Sequence, residues 1–306
     1  MTPLLPLALA VGLIFDTDMG NDIDDALALA MIHALESRGE TKLLAVTLTK
    51  DNPYAAPYCD IVNTFYRRGS IPVGVVRNGK TPEDSPMIRI PVEAKPEYPH
   101  KLTDYKKAPE AVDLIRRTLE AQPDGSVVIA QVGFSTNLAR LLASPGGSEL
   151  VRKKVKLLSV MAGNFAGGKP EYNVRIDVES AAKVMREWPG PIVLSGFEIG
   201  EALLYPARSI EQDFAWSDRN PVVDAYRAYK KMPYDRPTWD LTAVLYAIRP
   251  DHGYFGLSDA GSVHVEPDGR TIHTVDPAEQ RRYLTLNAEQ KARTLEALIQ
   301  LASQPR

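Results

Sequence analysis

Six short runs in this 306-residue chain are apolar at almost every position: Val11–Phe15, Leu43–Thr47, Ile71–Val76, Val127–Val132, Lys156–Met161 and Ile192–Gly196. A strand with one face in water alternates apolar and polar residues, so a run without that alternation must be covered on both faces. Stretches with helical spacing separate the runs, at Asp25–Ser37, Tyr54–Arg68, Pro109–Ala121, Leu138–Ala143 and Glu179–Trp188. Strands that alternate with helices predict an α/β fold, an open and mostly parallel sheet flanked by helices. No repeat, low-complexity tract or linker interrupts the pattern, so residues 11–306 read as one domain.

Composition narrows the classes. At 44% hydrophobic and 25% charged residues the chain is ordinary for a globular protein. A core of this size needs no disulfide, and Cys59, the sole cysteine, excludes both an internal disulfide and a cysteine-ligated zinc. The net charge of −3, without a basic run, argues against nucleic acid as a partner. No apolar run reaches the roughly 18 residues of a membrane span. Residues 1–10 stand outside the domain as a leader segment. Leu4–Ala10 has the apolar character of a signal-peptide core but lacks a positive flank, so cytoplasmic and exported locations stay equally open.

In open parallel sheets, ligands collect beyond the carboxyl ends of the strands. Polar clusters fall there after four strands: Asp16–Asp25, Lys50–Asn52, Gly133–Asn137 and Met161–Asn173. Their convergence on one rim predicts a single site. The stretch Pro206–Tyr234, with Phe214, Trp216, Tyr226, Tyr229 and Tyr234, reads either as a helical excursion over that site or as packing, and packing suits most of these aromatics better.

The segment Ile14–Ala30 places Asp16, Asp18, Asp22, Asp24 and Asp25 within ten positions. Charges held so close repel unless a cation lies between them, and carboxylates suit calcium or magnesium. Helix capping explains one or two of the acids but not the Asp-x-Asp at the strand end. An EF-hand loop fails, because Gly20 takes its fifth position and a strand precedes it. A haloacid-dehalogenase-like phosphatase with Asp16 as nucleophile also begins Asp-x-Asp, but Gly20 replaces its usual Thr or Val.

Asp16-Thr-Asp-Met-Gly-Asn-Asp-Ile-Asp-Asp25, followed by Ala-Leu-Ala-Leu, resembles the signature of the inosine–uridine nucleoside hydrolase family in a variant with two extra residues before the last Asp pair. Four further segments resemble the family in order: Ala45–Asn52, Val132–Ala139, Met161–Ala182 and Pro237–Val244. The resemblance spans about 230 residues and implies a Rossmann-like fold and calcium-dependent hydrolysis of a ribonucleoside's N-glycosidic bond. It implies Asp18 as general base, and Asp18, Asp25, the Thr136 carbonyl and Asp240 as calcium ligands. Asp16, Asp24, Asn52, Asn164, Glu171 and Asn173 would bind or shape the sugar site. Asp22 lies in the insertion and inherits no role. The partners implied are a small nucleoside and, in a dimer or tetramer, further copies of the chain.

One departure bears on the chemistry. Many members carry a histidine before the late Asp, where it protonates the leaving base; Trp239 stands there instead. Trp239 would stack on the base and ease its departure, or would only fill the gap; both readings stand. Of the five histidines, only His100 and His252 merit testing as the acid. The same fold without turnover, as a calcium-dependent ribose or nucleoside binder, is the alternative function.

Overall fold

The computed structural model describes residues 10–94 and 96–306; the expected leader, residues 1–10, lies outside them except for its last residue. All six predicted strands form: β1 (Val11–Thr17), β2 (Thr41–Lys50), β3 (Val73–Lys80), β4 (Val127–Gln131), β5 (Val155–Met161) and β6 (Ile192–Ser195). They pair in parallel in the order β3-β2-β1-β4-β5-β6. The strand order reverses beside β1, leaving a crevice between β1 and β4 at their carboxyl ends.

The sheet extends further than the apolar runs suggested. Beyond β6 lie β12 (Arg281–Thr285, parallel), then β10 (Gly261–Val265) and β11 (Thr271–Val275), both antiparallel. β9 (Gly256–Leu257) pairs with β12, while β7 (Leu204–Tyr205) and β8 (Arg236–Pro237) make a separate ribbon. This edge is partly exposed, so its strands are not uniformly apolar and lack the signal that marks β1–β6.

Helices cover both faces. On one side lie α1 (Asp24–Ser37), α2 (Ala55–Phe65) and α3 (Pro86–Glu93); on the other lie α4 (Ala111–Glu120) and α5 (Thr136–Ala143), followed in the chain by α6 (Gly147–Lys154). α7 (Tyr172–Ile176) leads into α8 (Val178–Glu187), which packs beside α5, and α9 (Phe197–Glu201) follows β6. α10 (Ala207–Gln212) and α11 (Pro221–Tyr229) show that the aromatic stretch is indeed helical in part. There Phe214, Tyr226 and Tyr234 are buried as packing, whereas Trp216 and Tyr229 stay half-buried.

α12 (Trp239–Ile248) and α13 (Ala288–Ala302) complete the first face. α1 is buried from Asp24 through Leu35, and α12 from Asp240 through Ala247. A helix apolar on all sides must lie inside the molecule, and these two pack on each other. Their acidic first turns are thereby drawn inward as well. Among the described residues, no helix is long and apolar enough to cross a membrane.

Candidate active site

A cavity of about 340 Å³ opens where β1, α1, α7 and α12 meet. Asp18, Asn21, Asp22, Asp24, Asp25, Glu171, Asn173, Arg236 and Asp240 supply its polar wall, and Tyr172, Phe197 and Trp239 its aromatic one. One oxygen from each of Asp24, Asp25 and Asp240 lies within 4.8 Å of the other two.

Burial raises the pKa of all three well above the usual carboxylate value, and repulsion from neighbouring aspartates, Asp18 and Asp22 among them, raises it further. The Asp25 side chain accepts from the Thr17 hydroxyl, but its other oxygen is buried without a partner. The Asp24 carboxylate accepts from the Asp240 N–H at 3.0 Å. Three acids placed close together in a low-dielectric setting, one with an orphaned oxygen, suit a hard divalent cation. The donor set fits a metal.

Asp18 stands beside this trio at the end of β1. Burial raises its pKa to about 6, against the lowering effect of Asn21, whose Nδ2 donates to Asp18 Oδ2 at 2.7 Å. Lys50 Nζ donates to Asn21 Oδ1 at 2.8 Å and so fixes which way that amide faces. Glu171 caps α7: its carboxylate accepts from the N–H groups of Gly163, Asn173 and Val174. Burial nonetheless pushes its pKa to about 7. Asn173 Nδ2 donates to the Val132 carbonyl at 2.8 Å and to that of Met161 at 3.2 Å.

Not every expected residue reaches the cavity. Asp16 is fully buried behind it, where Oδ1 accepts from Thr47 at 2.6 Å and Asn137 at 2.8 Å. An acid with no exposure makes a poor nucleophile, which removes the phosphatase reading. Asn52 is spent elsewhere: its amide donates to the carbonyls of Pro82 and Glu83 and accepts from the Tyr54 N–H.

Thr136 opens α5, with its hydroxyl on Asp177, and does not line the cavity; Val132, at the end of β4, is the residue of that segment that does. Asn164 lines a neighbouring cavity that shares Glu171, Tyr172 and Phe197 with the first. Asp18, Asp24, Asp25, Glu171, Asn173, Trp239 and Asp240 are brought together. His100 and His252 are not: among the described residues, no histidine lines the cavity.

Trp239 stacks on Phe197 with ring centroids 5.3 Å apart, and its indole N–H donates to the Phe197 carbonyl at 2.9 Å. Two groups that the sequence left unassigned meet beside it. Arg236 forms a two-pronged ion pair with Asp22, 2.8 Å at Nε, across 214 residues. An unassigned acid in the insertion and a lone arginine just before the late motif were the available signals.

Comparison with known proteins adds the family. The sequence model described as inosine-uridine preferring nucleoside hydrolase matches residues 13–299. Among solved structures, a plant nucleoside hydrolase aligns at 21% identity with a TM-score of 0.72, covering 96% of this chain and 99% of its own. A purine-preferring ribonucleoside hydrolase from Gardnerella vaginalis aligns at 18% identity, TM-score 0.73, with 95% and 98% coverage. An inosine-uridine preferring nucleoside hydrolase from Bacillus anthracis aligns at 18% identity, TM-score 0.72, with 96% and 99% coverage. Comparison with curated proteins gave no significant match.

Proposed function

The chain belongs to the inosine–uridine preferring nucleoside hydrolase family and is an N-glycosyl hydrolase acting on a small nucleoside, and from that premise we propose that it works with calcium. One observation carries the proposal: the buried first turns of α1 and α12 bring Asp24, Asp25 and Asp240 within bonding range of one ion, next to Asp18. Asp24, Asp25 and Asp240 would hold the cation, with Asp18 at its edge. Calcium takes six to eight oxygen ligands at flexible angles, which suits an all-oxygen site left partly open to substrate and water.

A bound calcium would supply a hard Lewis acid for sugar hydroxyls and a modest acidification of water. Asp18, beside the cluster, would take the proton of the attacking water as general base. Glu171 and Asn173, fixed by backbone hydrogen bonds, orient the sugar. As the bond to the base lengthens, the sugar gains oxocarbenium character, and the surrounding carboxylates offset that positive charge. The Phe197–Trp239 stack is a surface on which a planar base can lie.

A calcium-dependent nucleoside binder is the second reading, favoured by the lack of a histidine in the cavity among the described residues. The test is Asp18→Asn assayed on p-nitrophenyl riboside, whose leaving group needs no proton. The hydrolase reading predicts that the wild type cleaves this probe and that the variant, with an unchanged melting temperature, loses cleavage. A wild type that binds ribose in calorimetry without cleaving the probe would favour the binder. Light scattering checks the homo-oligomer that the family resemblance implies.

A further inference from the structure

Among the described residues, the cavity wall carries six carboxylates, no lysine and no histidine, and a single cationic side chain, Arg236. A nucleobase leaving the sugar takes the electron pair of the broken bond, so the wall must offer it a donor or a positive charge. Trp239 cannot offer its N–H, which is committed to the Phe197 carbonyl.

Arg236 can. Its Nε and Nη2 hold Asp22 along one side of the guanidinium. Of its five N–H groups, the three that remain have no partner among the described residues, and they include the end-on pair. Its guanidinium carbon lies 5.2 Å from the ring centroid of Tyr229 and 5.2 Å from that of Trp239. Its backbone is pinned by the β7–β8 ribbon, where Arg236 faces Tyr205. An arginine held this firmly in a cavity, with an unused fork of donors, is preorganised for something that is not protein.

Sequence departures from the family fall at this same spot. Asp22 lies in the two-residue insertion, and Trp239 replaces the usual histidine three positions after Arg236. We propose that Arg236 is the catalytic residue that stabilises the leaving nucleobase, and that Asp22 is its positioning residue. The inference rests on the hydrolase reading above.

In the step, the C1′–N bond breaks with its electron pair passing to the base. The water oxygen bonds to C1′, and the water's proton goes to Asp18. The free N–H groups of Arg236 hydrogen-bond the base as its negative charge grows, and the guanidinium stays protonated throughout. The base then takes a proton from solvent. A fork of two donors matches two adjacent acceptors, as N7 and O6 of a 6-oxopurine provide, so inosine is the probe of choice.

The experiment compares inosine with p-nitrophenyl riboside in wild type, Arg236→Met and Arg236→Lys. Loss of a preorganised donor to developing charge costs about 10²–10³-fold. Arg236→Met should lose that much kcat/KM on inosine and far less on p-nitrophenyl riboside. Arg236→Lys keeps the charge without the fork and should fall between wild type and Arg236→Met on inosine. Tyr172→Phe removes a hydroxyl donor from the same wall and should leave the ratio of the two substrates unchanged. Equal losses on both substrates in the Arg236 variants would make the residue structural and overturn the inference while the hydrolase reading stands. So would a substrate ratio that moves in Tyr172→Phe and not in Arg236→Met. A wild type inactive on both substrates would overturn the hydrolase reading and this inference with it.

Discussion

The Asp24 carboxylate accepts a hydrogen bond from the backbone N–H of Asp240, 3.0 Å away, so one acid of the cluster holds the first turn of the helix that carries another. The contact ties α1 to α12 but also keeps like charges together; burial first, and neighbouring aspartates after it, raise the pKa of both acids. Asp24→Asn keeps the accepting oxygen and removes one charge. In chelator at pH 8 this variant should melt at or above the wild type, because repulsion is relieved. With calcium restored the wild type should gain about 2.7 kcal/mol at 100 times its Kd, and the variant clearly less. Thermal melts with and without calcium check both signs.

His33 offers a pH signature away from the metal. It is fully buried on α1, stacked on Tyr66, with Nε2 2.9 Å from Asn63 Oδ1. Burial, aided by Arg68, lowers its pKa from 6.5 to about 3. A base whose folded pKa is depressed contributes stability that is present above the unfolded pKa. That stability is lost as pH falls from 6.5 toward 3, at up to about 1.4 kcal/mol per pH unit. His33→Gln should flatten this part of the stability curve relative to wild type. Denaturant melts between pH 7 and pH 5 give the slopes.

Gly133 is where the fold leaves no room beside the proposed base. A Cβ there would sit 2.5 Å from the Asp18 nitrogen and 2.2 Å from Thr49 Oγ1. Backbone cannot yield as a flexible side chain can, so Gly133→Ala should displace the end of β1. Overpacking of this kind costs about 1–3 kcal/mol, and cleavage should fall by more than the loss of folded protein explains. Parallel melts and kinetics on p-nitrophenyl riboside separate the two effects.

Trp239 tests the aromatic floor. With the indole N–H occupied, only its ring face is available to a base. Stacking of this kind contributes about 0.5–1.5 kcal/mol. Trp239→Phe should therefore keep most of kcat/KM on inosine, while Trp239→Ala loses about 2- to 10-fold more. Equal behaviour of the two variants would assign Trp239 to gap filling.

The sequence carried the parallel half of the fold because β1–β6 are covered on both faces, and coverage writes itself as uninterrupted apolar runs. The edge strands β10–β12 carry no such mark: Ile272 and Val275 are exposed, and Arg281 points inward to the carbonyls of Met185 and Trp188. The C-terminal helix was legible in principle through the capping box of Asn287 and Gln290. In the site, five acids in ten positions announced themselves, since their repulsion needs an answer.

What the sequence hid was pairing at long range. Asp22 with Arg236 and Lys50 with Asn21 are neighbours only after folding. Nor could the sequence show where the side chains of Thr136 and Asn52 would bond. The first opens a helix onto Asp177, and the second closes a loop over Pro82 and Glu83.

The most direct test of the account is release of free ribose from a panel of purine and pyrimidine ribonucleosides after exhaustive chelation, with and without calcium restored. The account predicts no release from the chelated enzyme, recovery on adding calcium, and no recovery in Asp25→Asn. Full turnover in the chelated enzyme, or full calcium-dependent turnover in Asp25→Asn, would contradict the claim that this aspartate cluster holds the catalytic ion.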